Sequence, residues 1–460
     1  MNSTFKTEVA AVLSFGLSGF LLFFSYRLMP ISILLFLIGV VLSAVVLAHS
    51  IVRVTQWPRR ERLFLIPFAL LAASHAVGLF LPETGFDAVW YHLPITTVFL
   101  SLHHLAFIPD LYQSAMPQLG SLLFAVPFLF LRESGVKVFC YLVTLLLSVI
   151  VFQLARRFLP RHVSVLVVLF FFGLHTVAWQ ASSAYVDQII ALFELMAILA
   201  ALRTQKSVVI PGIFLGLALS MKLLVLFFLP AFIVFFWIQA GWRHAVKVTF
   251  TALLIVSPWY VQAFIWTGNP LYPLFQVLHG TTILHDIGVN SWKEWLVGGA
   301  VKFVVLPIYL SLHRESFTTP IFAFSTLFLY LARKRLISKR FRALSLTTLA
   351  MFTIWLLIPP LSVRYVLTGI VFALILAISA IWDEAKKRGS LKKIFYTVCV
   401  VSFCLSFAIR LGANVVAAPY LTGSESYENY IATYSQGIAQ GPMTKWYAGY
   451  WEHWTPKTRP

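Results

Sequence analysis

The stretch Gly85-Phe86-Asp87-Ala88-Val89-Trp90-Tyr91-His92-Leu93-Pro94 sets a carboxylate, a phenol and an imidazole within a single helical turn and a half of one another. Asp87 follows a long apolar run, where a carboxylate half-shielded from water has its basicity tuned by burial and neighbours. It can serve as a general base, or it can cap a helix. Asp110, ahead of Leu111-Tyr112 and the Met116-Pro117-Gln118 turn, reads as a second acid, a metal ligand or a plain loop aspartate. Asp187, in Ala184-Tyr185-Val186-Asp187, opens an apolar run, where it could act chemically or simply stabilise a helix N-terminus. Asp87, His92, Asp110 and Asp187 offer ligands a divalent metal could use, although no spacing signature marks a metal site. His103 and His104 are adjacent, point in different directions and make a poor metal pair.

Cations are scarce in apolar surroundings, so the few present are informative. Lys222 closes Gly216-Leu217-Ala218-Leu219-Ser220-Met221 and is followed at once by another apolar run. A lone lysine near the centre of a span costs roughly 2.5–3.5 kcal/mol on insertion scales. Near the interface it could snorkel to a lipid phosphate instead. Arg364 and Tyr365 follow Pro359-Pro360-Leu361-Ser362-Val363, either as a surface anchor or as a phosphate contact. Arginine suits bidentate phosphate binding and lysine a point-charge contact.

The elements that must position these groups are membrane helices. The chain of 460 residues is 60% hydrophobic and 11% charged, against about 25% charged in a soluble domain. That excludes a soluble globular fold. Stretches such as Val163 to Ala181 and Leu223 to Gly241 hold no Asp, Glu, Lys or Arg, and each is close to the ~20 residues that cross a bilayer. The net charge of +19 does not indicate nucleic acid, because Lys and Arg gather in short clusters between apolar runs. Those clusters (53–62, 156–161, 203–206, 243–247, 333–342 and 386–393) mark the cytoplasmic side by the positive-inside rule. Cys140, Cys399 and Cys404 sit inside apolar runs and read as small buried hydrophobes.

This pattern predicts an all-α, polytopic transmembrane protein with about thirteen spans, near 9–27, 30–50, 62–82, 134–156, 162–182, 187–204, 207–221, 222–241, 245–266, 318–333, 342–360, 365–383 and 391–411. Val9 to Tyr26 reads as a retained span rather than a cleaved signal. Leu119 to Leu131 and Trp295 to Leu312 read as interfacial or half-inserted helices, since counting them as crossings would put strongly basic loops outside. Pro94 should push Leu93 toward extended geometry and open a helix over about 94–106 lying flat on the membrane. The transmembrane part covers 1–411. A short outer tail, 412–460, carries Trp446, Tyr447, Tyr450, Trp451 and Trp454 and suits an aromatic interfacial belt. The first outer loop, 83–118, has no Lys or Arg. Every aspartate except Asp383 falls on this outer face.

The set resembles the multi-pass glycosyltransferases of the GT-C fold, the class that includes protein O-mannosyltransferases and aminoarabinose transferases. The resemblance rests on Asp87 with Tyr91-His92-Leu93-Pro94, Met116-Pro117-Gln118-Leu119-Gly120, Ala184 to Asp187, and Gly216 to Lys222. It continues through Pro258-Trp259-Tyr260, Gly268-Asn269-Pro270-Leu271-Tyr272-Pro273 and Arg364-Tyr365. These motifs run over about 80–370. Many relatives carry a large outer C-terminal domain, for which the residues after Leu411 leave little room.

The resemblance implies transfer of a sugar from a polyprenyl-phosphate carrier to a lipid, glycan or protein hydroxyl, usually with inversion, on the outer face of a bacterial inner membrane. It implies Asp87 as general base, a role worth typically ~10²–10⁴-fold. Lys222 and Arg364 would hold the phosphate, and Tyr91, His92, Asp110, Asp187, Asn269, Tyr272 and Tyr365 would contact substrates. Asp87→Asn is expected to abolish transfer and leave folding intact. Outward sidedness requires a lipid-carried donor, because sugar nucleotides are cytoplasmic, and no Gly-rich nucleotide cradle is present. Membrane lipids are the constant partner, with no cofactor certain and a divalent metal open. The rival readings are a secondary transporter, for which the chain shows no repeated halves, and a lipid flippase or non-catalytic scaffold.

Overall fold

A computed structural model of the protein describes residues 3–109, 111–204, 207–274, 277–278, 281–282, 300–313, 315, 320–358 and 361–435. In hydrocarbon the backbone has no water to bond with, so apolar runs must close their hydrogen bonds within a helix. Each of the thirteen apolar runs is mainly helical. Among the described residues, six helices are long and apolar enough to cross a membrane by themselves: Thr4–Phe24, Tyr26–Thr55, Leu119–Ala155, Trp242–Thr267, Val363–Ala385 and Gly389–Val416. The other runs form shorter apolar helices, among them Val209–Leu219, Val225–Ala240 and Arg342–Leu357, together with Asp187–Thr204. A pair of two-residue strands, Val277–Leu278 and Thr281–Thr282, forms the small antiparallel ladder.

The helix over Leu119–Ala155 is broken at Leu131 and Arg132, where φ reaches 54° at Arg132. A Cβ placed on Gly135 would lie 2.2 Å from the Pro127 carbonyl oxygen. In one straight helix eight residues would separate these atoms by about 12 Å, so the chain turns back sharply here. The half before the break is the segment expected to be half-inserted. The helix after Asp87 also departs from expectation. It starts at Leu93 in helical geometry, continues a π-turn over Ala88–His92, ends at Leu102, and buries Thr96 and Thr97 as well as Ile95 and Phe99.

Lipid chains are as apolar as leucine, so helices in a membrane associate through close packing of small residues. Gly212 and Gly216, one turn apart, face the Trp242–Thr267 helix. Added Cβ atoms there would lie 2.5 Å from Cβ of Thr251 and 2.5 Å from Cβ of Ile255. The Asp187–Thr204 helix packs on both Val209–Leu219 and Leu119–Ala155, and Val225–Ala240 packs on Arg342–Leu357. Val363–Ala385 is central, with 83% of its apolar window buried against 22% for Gly389–Val416.

The basic loops gather at one end of the bundle. Arg203 bonds Gln153 and pairs with the buried Glu8, Arg53 donates to Thr4, Arg340 donates to the Arg157 carbonyl, and Arg335 pairs with Asp383. Arg203 and Asp187 stand near opposite ends of one 18-residue helix, about 25 Å apart at 1.5 Å per residue.

Candidate active site

At the end away from the basic loops, four charged side chains meet. The turn 83–87 delivers Asp87, 5% exposed, at the start of the π-turn. The Asp87 backbone N–H donates to the Tyr185 hydroxyl at 3.1 Å. Asp87 Oδ2 accepts from the Tyr91 hydroxyl at 3.1 Å, from Lys222 Nζ at 3.2 Å, and pairs with Arg364 Nη1 at 3.0 Å. Asp187, 3% exposed, lies on the far side of the same cations, 3.8 Å from Lys222 and 3.9 Å from Arg364. Gln180 Nε2 donates to Asp187 Oδ2 at 3.0 Å.

The cations arrive from separate elements. Lys222 sits in the short turn between Val209–Leu219 and Val225–Ala240, and the Leu119 N–H tethers that turn through the Ser220 carbonyl at 3.0 Å. Arg364 lies in a 3-10 turn, Val363–Val366, leading into the central helix. Glu315 pins this turn, accepting from the Ser362 hydroxyl and from the Val363 N–H at 2.6 Å. The Tyr365 ring lies under both cations, 4.8 Å from Lys222 Nζ and 4.7 Å from the Arg364 guanidinium, whose other face meets Tyr185 at 5.1 Å. Arg364 also donates to the Tyr365 hydroxyl at 2.7 Å. Aromatic faces favour cations that have lost part of their hydration.

Burial alone would push the Asp87 carboxyl up. The Lys222 ammonium and the Arg364 guanidinium overcome this and hold it below the usual carboxylate range. His92, 1% exposed, is pushed down to about 3 by burial, with Lys222 adding to the effect, and is therefore neutral. Its Nδ1 lies 3.5 Å from the Ser121 hydroxyl, which donates to Gln118, while its buried Nε2 has no partner among the described residues. Among the described residues no group of three or more His, Cys, Asp or Glu side chains is placed to hold a metal ion. Lys222 and Arg364 already occupy the space between Asp87 and Asp187. Like charge opposes a cation bridging these two carboxylates, and the third candidate acid, Asp110, lies outside the described residues.

The structure thus brings Asp87, Tyr91, His92, Asp187, Lys222, Arg364 and Tyr365 together. Asn269 uses its amide within its own turn, donating to the Leu274 carbonyl at 2.7 Å and accepting from the Leu271 N–H at 2.9 Å. Tyr272 packs edge-on to Phe107 of the first long loop, ring centres 6.0 Å apart. His103 and His104 are exposed at a helix end and bond the nearby carbonyls of Ser101 and Leu102. Asp110 and the tail aromatics Trp446 to Trp454 lie outside the described residues. Gln180, Tyr185, Glu83 and Glu315 were not singled out from sequence, and each acts by bonding a segment remote in the chain. The one available signal was a carboxylate, Glu83, at the end of an apolar run and two residues before a glycine.

No protein-family model matches the chain, and no curated protein does. Among solved structures, the chain is similar to ArnT from Cupriavidus metallidurans bound to undecaprenyl phosphate, at 15% identity over 84% of this chain and 75% of that one, with a TM-score of 0.49. It is also similar to the archaeal oligosaccharyltransferase AglB from Archaeoglobus fulgidus in complex with an inhibitory peptide and a dolichol-phosphate. There the identity is 12% over 75% of this chain, with a TM-score of 0.46, and the chain spans only 56% of that protein's length.

Proposed function

We propose that the chain is a membrane glycosyltransferase that moves a sugar from a polyprenyl-phosphate carrier to an acceptor hydroxyl, on the face opposite the basic loops. In a bacterial cytoplasmic membrane that is the outer face. The observation that carries this reading is the placement of Lys222 and Arg364 together on Asp87 Oδ2, beside a small cavity. Asp187, Glu194, Lys222, Arg364 and Tyr365 line that cavity together with Ile190, Val225 and Phe228. Two cations fixed side by side match the charge of an anionic phosphate headgroup.

In the reaction, Asp87 takes the proton of the acceptor hydroxyl as that oxygen attacks the anomeric carbon. The bond from that carbon to the phosphate oxygen breaks, and its electron pair leaves on polyprenyl phosphate. Lys222 and Arg364 stabilise the charge that grows there. Attack from the side opposite the leaving group inverts the anomeric centre. Among the described residues the contacts from Tyr91, Lys222 and Arg364 all fall on Asp87 Oδ2, which leaves Oδ1 to the acceptor. A strongly ion-paired carboxylate is a weak base, so arrival of the phosphate has a second effect. By drawing the two cations toward itself, it returns basicity to Asp87. Tyr91 and His92 orient the acceptor, and Asp187 keeps the cations in register.

The test gives purified protein a labelled polyprenyl-phosphate sugar with lipid, glycan and peptide acceptors. Covalent product that disappears in Asp87→Asn supports transfer. Protein-dependent movement of the labelled lipid across vesicles, with no product from any acceptor, would replace this reading by transport.

A further inference from the structure

Glu83 lies four residues before Asp87 and is 2% exposed. Its Oε1 accepts from the Gly85 N–H at 2.8 Å and from the Ser183 hydroxyl at 2.6 Å, and its Oε2 accepts from the Ala184 N–H at 2.7 Å. One carboxylate therefore ties the 83–87 turn to the 183–187 turn, about a hundred residues further along the chain. The two turns are in close contact at Gly85, where an added Cβ would lie 2.5 Å from Tyr185 Cε2 and 2.7 Å from Ser183 Oγ. Behind Glu83, the 1%-exposed Lys137 donates to the Leu81 carbonyl and attracts the Glu83 charge.

We infer that Glu83 is a positioning residue, which sets where the Asp87 carboxylate stands by locking the two acidic turns into one unit; this rests on the reading of Asp87 as the reacting base. The unit reaches three members of the site. Tyr185 accepts from the Asp87 N–H, its ring lies against Arg364, and Asp187 opens the next helix. Among the described residues Glu83 pairs with neither Lys222 nor Arg364, so its first effect falls on the base and it reaches the cations only indirectly, through Tyr185 and Asp187. Its charge and its two acceptor oxygens are both needed. A glutamine would turn an NH₂ toward the Gly85 N–H or the Ala184 N–H, donor against donor, and the turns would separate.

Two measurements on the full-length protein test this. The first is turnover by Glu83→Gln. Misplacement of a reacting group by about 1 Å can cost ~10²-fold, so kcat should fall about 10- to 100-fold while the donor KM stays within about threefold. The second is independent of activity: thiol labelling of Ala88→Cys, in a background with Cys399 and Cys404 changed to serine. Ala88 is fully buried beside Asp87, and loss of Glu83 should speed its labelling at least about tenfold as local opening becomes easier. Unchanged labelling overturns the inference, whatever kcat does, and so does a rise in donor KM without a fall in kcat. If unaltered protein makes no product with any donor, the enzymatic reading falls, while labelling still decides whether Glu83 holds the turn. If Glu83→Gln does not accumulate, Ser183→Ala removes one of the three donors and carries the same readouts at smaller amplitude.

Discussion

A single oxygen of Asp87 is shared by a phenol and two cations, and this has consequences for its removal. Asp87→Asn should lower transfer by about 10²- to 10⁴-fold, as loss of a general base does. It should also lower the melting temperature in detergent. Lys222 and Arg364 would be left with only Asp187, whose oxygens lie 3.8 and 3.9 Å away, and breaking one partner out of a buried pair costs about 3–5 kcal/mol. The expectation of an untouched fold is therefore revised. Lys222→Ala should instead raise the donor KM more than it lowers binding of acceptor, read by varying each substrate separately. His92 gives a pH test. Its ordinary pKa is about 6.5 and burial brings it to about 3. Between those values the unfolded chain holds a proton that the folded one does not, so stability falls as pH drops below about 6.5. Melting curves at pH 7 and pH 5 should show that loss, and His92→Gln should reduce it; equal losses in both proteins would count against a neutral His92. The rarity of ions in apolar sequence made Asp87, Lys222 and Arg364 readable. Gln180 and Tyr185 were not, because an amide or phenol looks the same in sequence whether or not a carboxylate waits across the fold.

At the scale of elements, the cations depend on how closely helices approach. Gly216 lies six residues before Lys222, and an added Cβ there would meet the Ala252 carbonyl oxygen at 2.9 Å as well as Ile255. Backbone cannot move aside as a flexible side chain can. Gly216→Leu should therefore force Val209–Leu219 away from Trp242–Thr267, at about 1–3 kcal/mol for overpacking, and move Lys222 with it. A lowered melting temperature together with weaker donor binding is the expected result, while a drop in melting temperature alone would show that the turn at Lys222 moves independently. The positions of the helices were legible because apolar runs in lipid have no other way to satisfy their backbone. Their exact roles were less so. The break at Leu131–Arg132 and the burial of Thr96 and Thr97 depend on neighbours that local hydropathy does not describe.

For the whole molecule, the contact between Asp87 and Arg364 is the central result. Had the fold left them at opposite ends of the bundle, no shared site would exist. The basic loops lie at the other end, so a membrane-impermeant thiol reagent should label the exposed positions in His103→Cys from the outside and in Lys339→Cys only after the membrane is opened. Both are exposed. Labelling of the two from the same side would contradict a site facing away from the basic loops.

By itself the sequence determined that this protein lives in a membrane, that it is helical, and which few ions are too costly there to be incidental. Those are consequences of composition and local pattern, since burying an unpaired charge or backbone group in hydrocarbon is expensive wherever it occurs. Only the tertiary structure decided which ions meet, that Asp87 Oδ2 is the shared point, and that Glu83 and Glu315 hold the turns beneath. Contacts across a hundred residues or more depend on helix packing and on where each chain break falls, and neither is written in any one segment.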